Sequence, residues 1–186
     1  MRIVAGSARG RRLTTPTGLE VRPTTDRVRE AVFNALGSLD ALDGAAVIDL
    51  FAGSGALGIE ALSRGASHVT VVDSSPKALA AVRSNLATCG FEGAATVVRA
   101  DAAAHLAHST EQFDLALLDP PYGFDAWDDL LATLRADTLV IESDRTVDTG
   151  VDNEVLRERR YGGTVVTIAR SIGRGRHDRE TSEDRT

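Results

Sequence analysis

Val47-Ile48-Asp49-Leu50-Phe51-Ala52-Gly53-Ser54-Gly55-Ala56-Leu57-Gly58-Ile59-Glu60 is the stretch around which the chain is organised. A short apolar run ends at an acid, a turn of small residues follows, and an apolar pattern at helical spacing then opens. This predicts a buried strand, a tight loop, and a helix whose first turn faces whatever occupies the loop. Gly53, Gly55 and Gly58 have the spacing needed where backbone approaches a ligand closely and a helix packs on a strand. Asp73 stands 20 residues beyond Gly53 and closes the next apolar run, His68 to Val72. A carboxylate at that distance can accept hydrogen bonds from both hydroxyls of a ribose, which points to a nucleoside-containing ligand.

Departures from the dinucleotide pattern narrow the choice of nucleoside. There the strand runs straight into the first glycine and the helix N-terminus holds a pyrophosphate. Here Asp49 stands four residues before Gly53, where the loop opens. A carboxylate there repels a diphosphate but suits a ligand carrying an ammonium or a sulfonium. S-adenosylmethionine carries both charges and no phosphate. The competing role for Asp49 is merely to cap the following helix.

A chain of 186 residues with 42% hydrophobic and 26% charged residues is expected to form one soluble globular domain with at most a short extension. The single cysteine, Cys89, excludes an internal disulfide and a cysteine-rich zinc site, so a reducing cytoplasm is the expected compartment. No apolar run reaches membrane-spanning length, and the start lacks the apolar core of a signal peptide. The net charge of −6 is unevenly spread: residues 1–36 carry seven arginines against three acids. A basic amino-terminal arm on an acidic body is expected, with Arg9, Arg11 and Arg12 as candidate phosphate contacts and a solvated face as the bland alternative.

Along the chain, Arg2 to Ala5 and Arg11 to Thr14 read as a small hairpin around Gly6 to Gly10. Thr24 or Thr25 can cap a helix with Val28, Val32 and Leu36 on one face and Gly37 at its end. Further strands are predicted over His68–Val72, 94–100, 113–118 and 138–142, with helices over Pro76–Cys89 and about 125–134. A final strand pair, 153–160 and 163–169, turns at Gly162-Gly163. Alternating strands and helices imply an α/β fold with a mostly parallel, doubly wound sheet and an antiparallel edge. Ligands of such sheets bind beyond the carboxyl ends of the strands, where Asp49, Asp73, Asp101 and Asp119 are all predicted to stand. The expected division is a basic extension over 1–37, a catalytic domain over 38–170 and a disordered tail over 171–186.

Asp119-Pro120-Pro121-Tyr122 follows the fourth strand and is read as the chemical element of the site. An exocyclic amine on a nucleobase is a poor nucleophile because its lone pair is delocalised into the ring. The Asp119 carboxylate and the Pro120 carbonyl can accept its two N–H groups and compensate the positive charge that develops on nitrogen. Paired prolines hold these acceptors rigidly, and Tyr122 or Phe124 can stack on the base. His105 and His108 are read as no metal site, Cys89 as packing, and Trp127 as packing or an RNA contact.

The run from Asp49 to Ala66 resembles the cofactor loop of the RsmD family, bacterial methyltransferases acting on the guanine N2 amine of 16S ribosomal RNA. So do Arg2-Ile3-Val4-Ala5-Gly6 with Arg9-Gly10-Arg11, and Arg22-Pro23-Thr24-Thr25-Asp26-Arg27-Val28-Arg29-Glu30-Ala31-Val32-Phe33-Asn34. The resemblance runs from residue 1 to about 170. It implies a class I S-adenosylmethionine-dependent methyltransferase, a Rossmann-like seven-stranded sheet with an amino-terminal extension that helps recognise RNA. It further implies that Asp49, Gly53 and Gly55 border the methionine end of the cofactor, that Phe51 also belongs to the cofactor site, that Asp73 binds the ribose and Asp101 the adenine amine. Asp119 through Tyr122 would hold the target guanine, and Arg22, Thr25 and Arg27 would sit near the rim.

The expected activity is therefore methylation of a guanine N2 amine in 16S rRNA, by a cytoplasmic, metal-free monomer acting on RNA or on an assembling small subunit. The alternatives are adenine-N6 methylation of DNA, which the same acceptor loop serves, and a non-catalytic rRNA-binding assembly factor. A dehydrogenase is disfavoured because the chain has no room for a second substrate domain.

Overall fold

The computed structural model describes residues 1–15 and 26–172. Five parallel strands form the body of one sheet: β1 (Ala46–Leu50), β2 (His68–Asp73), β3 (Ala95–Arg99), β4 (Phe113–Leu118) and β5 (Ala136–Ser143). An antiparallel hairpin, β6 (Asn153–Tyr161) and β7 (Thr164–Ser171), completes it in the order β3-β2-β1-β4-β5-β7-β6. Strands β1, β4 and β5 are apolar on both faces because helices cover both sides. Helices α1 (Asp26–Ser38), α2 (Ala56–Ser63) and α3 (Pro76–Cys89) bury one face around Val47, Val71, Leu117 and Ile168. Helices α4 (Ala102–His108) and α5 (Trp127–Thr133) bury the other around Ile48, Leu118, Ile141 and Ala169. The strand order reverses at β1, which opens the ligand crevice between the carboxyl ends of β1 and β4.

Several expected elements match closely, among them α3, β4 and the two-residue turn at Gly162 and Gly163, where Tyr161 pairs with Thr164. Helix α1 runs through Gly37 to Ser38, whose hydroxyl bonds the Asn34 carbonyl 3.0 Å away. Helix α4, where the sequence offers only a possible helical face shared by His105 and His108, is seven residues long and is started by the Asp101 carboxylate accepting the Ala104 amide at 3.1 Å. The expected capping threonines, Thr24 and Thr25, lie outside the described residues, as does the tail from residue 173 onward. Ser171, assigned to the tail, closes β7.

The amino-terminal hairpin is not a free arm. Only Arg2 and Arg12 form an antiparallel bridge, yet Ile3, Ala8 and Leu13 are buried in the core that α1, α2 and α3 share. Fully buried Glu60 of α2 accepts the Val4 and Ala5 amides at 2.8 and 3.0 Å and the Arg64 Nε at 2.8 Å. Its Oε2 also lies 3.5 Å from Nε of the fully buried Arg29, which donates to Asp26 and to the Arg2 carbonyl. Gly6 touches the last turn of α2 so closely that a Cβ there would lie 1.7 Å from the Ser63 carbonyl oxygen.

Candidate active site

The loop between β1 and α2 holds three residues in left-handed backbone: Phe51 at φ 58°, Gly53 at 57° and Gly55 at 74°. For the phenylalanine this conformation is uncommon and is retained by its surroundings. Asp73 fastens the loop: its Oδ2 accepts the Gly53 amide at 2.8 Å while Oδ1 accepts the Ser75 amide at the same distance. Asn85 of α3 fastens it from the other side, donating to the Ser54 and Thr14 carbonyls at 2.9 Å and accepting the Thr14 amide at 2.8 Å. Sequence reasoning passed over Asn85. Its signal was one amide on the otherwise apolar stripe of Ala78, Leu79, Val82 and Leu86.

Asp49 points to the α2 side of the sheet, 1% exposed, and its Oδ2 accepts the Gly58 amide at 2.9 Å. It therefore does serve the first turn of the helix, as the competing role held. Gly58 has to be glycine for this contact, since a Cβ would come within 2.8 Å of Val69 and 3.0 Å of the Asp49 carboxylate. Burial pushes the Asp49 pKa from 3.8 up to about 7; the Gly58 amide opposes the shift, and Asp119 and Asp73 add to it. A buried carboxylate with two others close enough to raise its pKa fits a ligand bringing positive charge, and a diphosphate does not fit it. The helix amide that would greet a phosphate is already committed to Asp49. Ribose hydroxyls can still reach the remaining lone pairs of half-buried Asp73, and exposed Asp101 keeps Oδ2 after capping α4. The residues present thus fit S-adenosylmethionine.

Leu50 pairs with Leu118, so Asp119-Pro120-Pro121-Tyr122 emerges beside the β1 loop. Asp119 and Pro120 are half-buried, Pro121 is exposed and Tyr122 is 63% exposed. The Phe124 amide closes the turn on the Pro121 carbonyl at 3.2 Å. Of the two stacking candidates, Phe124 turns inward: its ring meets Phe51 at 5.3 Å and Trp127 at 4.9 Å, both edge-on, while Tyr122 faces outward. Trp127 is 5% exposed and is packing. The Phe51–Phe124 contact joins the two ligand loops, a link that sequence spacing alone does not reveal.

Arg9, Arg11, Arg12 and Arg27 are all exposed, whereas Arg22 and Thr25 lie outside the described residues. The hairpin tip rests on Ser63, the end of α2 farther from the cofactor loop, so Arg9 stands well away from the rim. Burial raises the Cys89 thiol pKa, with Arg11 partly opposing the rise, in keeping with packing. Among the described residues no group of three or more side chains could hold a metal ion, and no helix is long and apolar enough to cross a membrane.

A family model described as "Conserved hypothetical protein 95", which covers the RsmD proteins, matches residues 1–170. The chain belongs to the RsmD family. Its relatives include YlbH of Bacillus subtilis, provisionally named an rRNA methyltransferase, 42% identical over 93% of this chain and 94% of that one. The "Ribosomal RNA small subunit methyltransferase D" of Escherichia coli is 42% identical over 66% of this chain, a match that spans 60% of the E. coli protein. Among solved structures, E. coli yhhF, provisionally titled a methyltransferase, superposes with a TM-score of 0.82 at 32% identity, covering 92% of this chain and 98% of that one. The RsmD fold is thus the class I methyltransferase fold, and its cofactor is S-adenosylmethionine.

Proposed function

We propose that this chain transfers a methyl group from S-adenosylmethionine to the exocyclic N2 amine of a guanine in 16S rRNA, on the RNA or on a small subunit under assembly. The observation that carries the proposal is the acceptor loop Asp119-Pro120-Pro121-Tyr122 beside the Asp49–Asp73 loop at the sheet's topological switch. Asp49, Phe51, Gly53 and Gly55 would border the methionine end of the cofactor, Asp73 the ribose and Asp101 the adenine. Bound there, the cofactor supplies an electrophilic methyl carbon on sulfur. The Asp119 carboxylate and the Pro120 carbonyl accept the two N–H groups of the guanine amine and orient its lone pair in line with that carbon. Tyr122, outward at the rim, stacks on the splayed base. Asp119 or solvent takes the proton that the methylated amine loses. In this scheme residues 1–37 serve RNA recognition, 38–170 catalysis, and the protein works as a cytoplasmic monomer.

Asp119→Ala tests the assignment. It should lower methyl transfer to unmodified small subunits by ~10²-fold or more while cofactor affinity stays within about two-fold of wild type. Normal transfer by the variant would overturn the mechanism.

A further inference from the structure

The exposed edge of the sheet carries basic side chains that the site above does not use. Arg159 of β6 pairs with Val166, Val166 with Glu142, and Glu142 follows Ile141, which pairs with Leu118. Arg159 therefore stands one residue beyond the level of Leu118, as Asp119 does, about three inter-strand spacings or ~14 Å to its side. Arg157 and Arg159 pair with Ile168 and Val166, both in the core under α1, so their side chains lie on the α1 face. With Tyr161 they line a shallow groove whose α1 wall includes Ala31 and Ala35.

Helix α1 leads by a short connection into the amino end of β1, so its own amino end points to the catalytic rim. Exposed Arg27 sits there, one turn ahead of Ala31. Its neighbour Asp26 lies 3.5 Å from Arg2, and Arg2 bridges to Arg12 of the hairpin. Arg12, Arg27, Arg157 and Arg159 make no ion pair among the described residues. Nearby acids do not cancel the run. Asp26 is engaged by Arg2 and Arg29, and Glu158 faces the other side of the sheet, bonded to Thr146 and Thr167. Among the described residues, Glu30 of α1 stands exposed beside them with no ion pair, Glu142 is buried, and exposed Glu154 lies farther along β6, opposite Arg170 and away from the rim.

We propose that Arg12, Arg2, Arg27, Arg159 and Arg157 form one track along the catalytic rim that binds the phosphate backbone of the RNA substrate. The proposal rests on the rRNA reading above and adds a contact surface in the carboxyl-terminal hairpin. Guanidinium groups spaced along a helix end and a strand edge contact phosphate without reading sequence, so they position RNA and leave base choice to the loop after β4.

The test is the double variant Arg157→Gln/Arg159→Gln in the full chain, measured for binding to 16S rRNA and to small subunits over a series of salt concentrations, and for methyl transfer. Affinity for both should fall by ~10-fold or more, and the slope of log K against log salt should become shallower by about 1.5. KM for RNA should rise while kcat and cofactor affinity hold, and Arg157→Lys/Arg159→Lys should restore most of the binding. Wild-type methylation accompanied by unchanged affinity and salt slope in the variant would overturn the track alone. Aggregation without a change in affinity would assign the arginines to protecting a strand edge. Weakened binding to subunits but not to naked rRNA would mean contact with a protein of the particle, which also overturns the proposal. A wild-type protein that neither binds nor methylates rRNA would remove the rRNA reading and the track together.

Discussion

Asp49 is buried with no cation beside it among the described residues, and its raised pKa is the price of keeping a carboxylate there. Between pH 3.8 and about 7 the folded chain holds a proton on Asp49 that the unfolded chain has released. Unfolding then releases a proton, so this residue's contribution to stability falls as pH rises through that window. Asp49→Asn keeps an acceptor for the Gly58 amide and removes the ionisation. Its Tm should exceed that of wild type above pH 7, and the gap should shrink as pH falls toward 4, followed by thermal denaturation at several pH values. A variant that is less stable at every pH would contradict this. The same substitution should weaken S-adenosylmethionine binding, and wild-type affinity should rise from about pH 6 to 8 as Asp49 ionises. A residue whose removal stabilises the fold is retained for its ligand. The acids of the site were legible in the sequence because each follows an apolar run. The inward turn of Phe124 was not, because it depends on the left-handed Phe51 one loop away.

At the scale of elements, Gly6 joins the hairpin to α2. Its φ of 82° and the 1.7 Å approach of a Cβ to the Ser63 carbonyl leave no room for a side chain. Gly6→Ala should destabilise the fold by about 2–4 kcal/mol, seen as a lowered denaturation midpoint, and should loosen the contacts of Glu60 with Val4 and Ala5. A midpoint within error of wild type would refute this packing. The strands and longer helices were readable from period and caps. Helix α4 was not, since a seven-residue run buries only Ala102 and Leu106 and presents almost no periodicity. The insertion of β7 between β5 and β6 has a compositional cause: Thr164 to Ala169 is buried throughout and needs a neighbour on both edges. The Arg- and Glu-rich β6 tolerates an open edge.

Over the whole molecule, charge is divided more finely than the sequence tally of a basic arm suggests. Arg29 is buried against Glu60 and Asp26, and Arg2 shares Asp26, so two of the six described amino-terminal arginines are paired within the protein. Exposed Arg12, Arg27, Arg157 and Arg159 belong to the proposed track and Arg9 lies away from it, while Asp49, Asp73, Asp101 and Asp119 stand at the carboxyl ends of the strands. The proposed arrangement, an acidic centre for a cationic cofactor beside a basic track for RNA, would reconcile the net charge of −6 with a nucleic-acid substrate. The most direct measurement is methyl transfer from radiolabelled S-adenosylmethionine to unmethylated small subunits, with naked 16S rRNA and duplex DNA in parallel and the labelled nucleoside identified. Label in N2-methylguanosine of the rRNA is the predicted result. Label confined to N6-methyladenine in the DNA, or cofactor binding with no label in any substrate, would contradict the account.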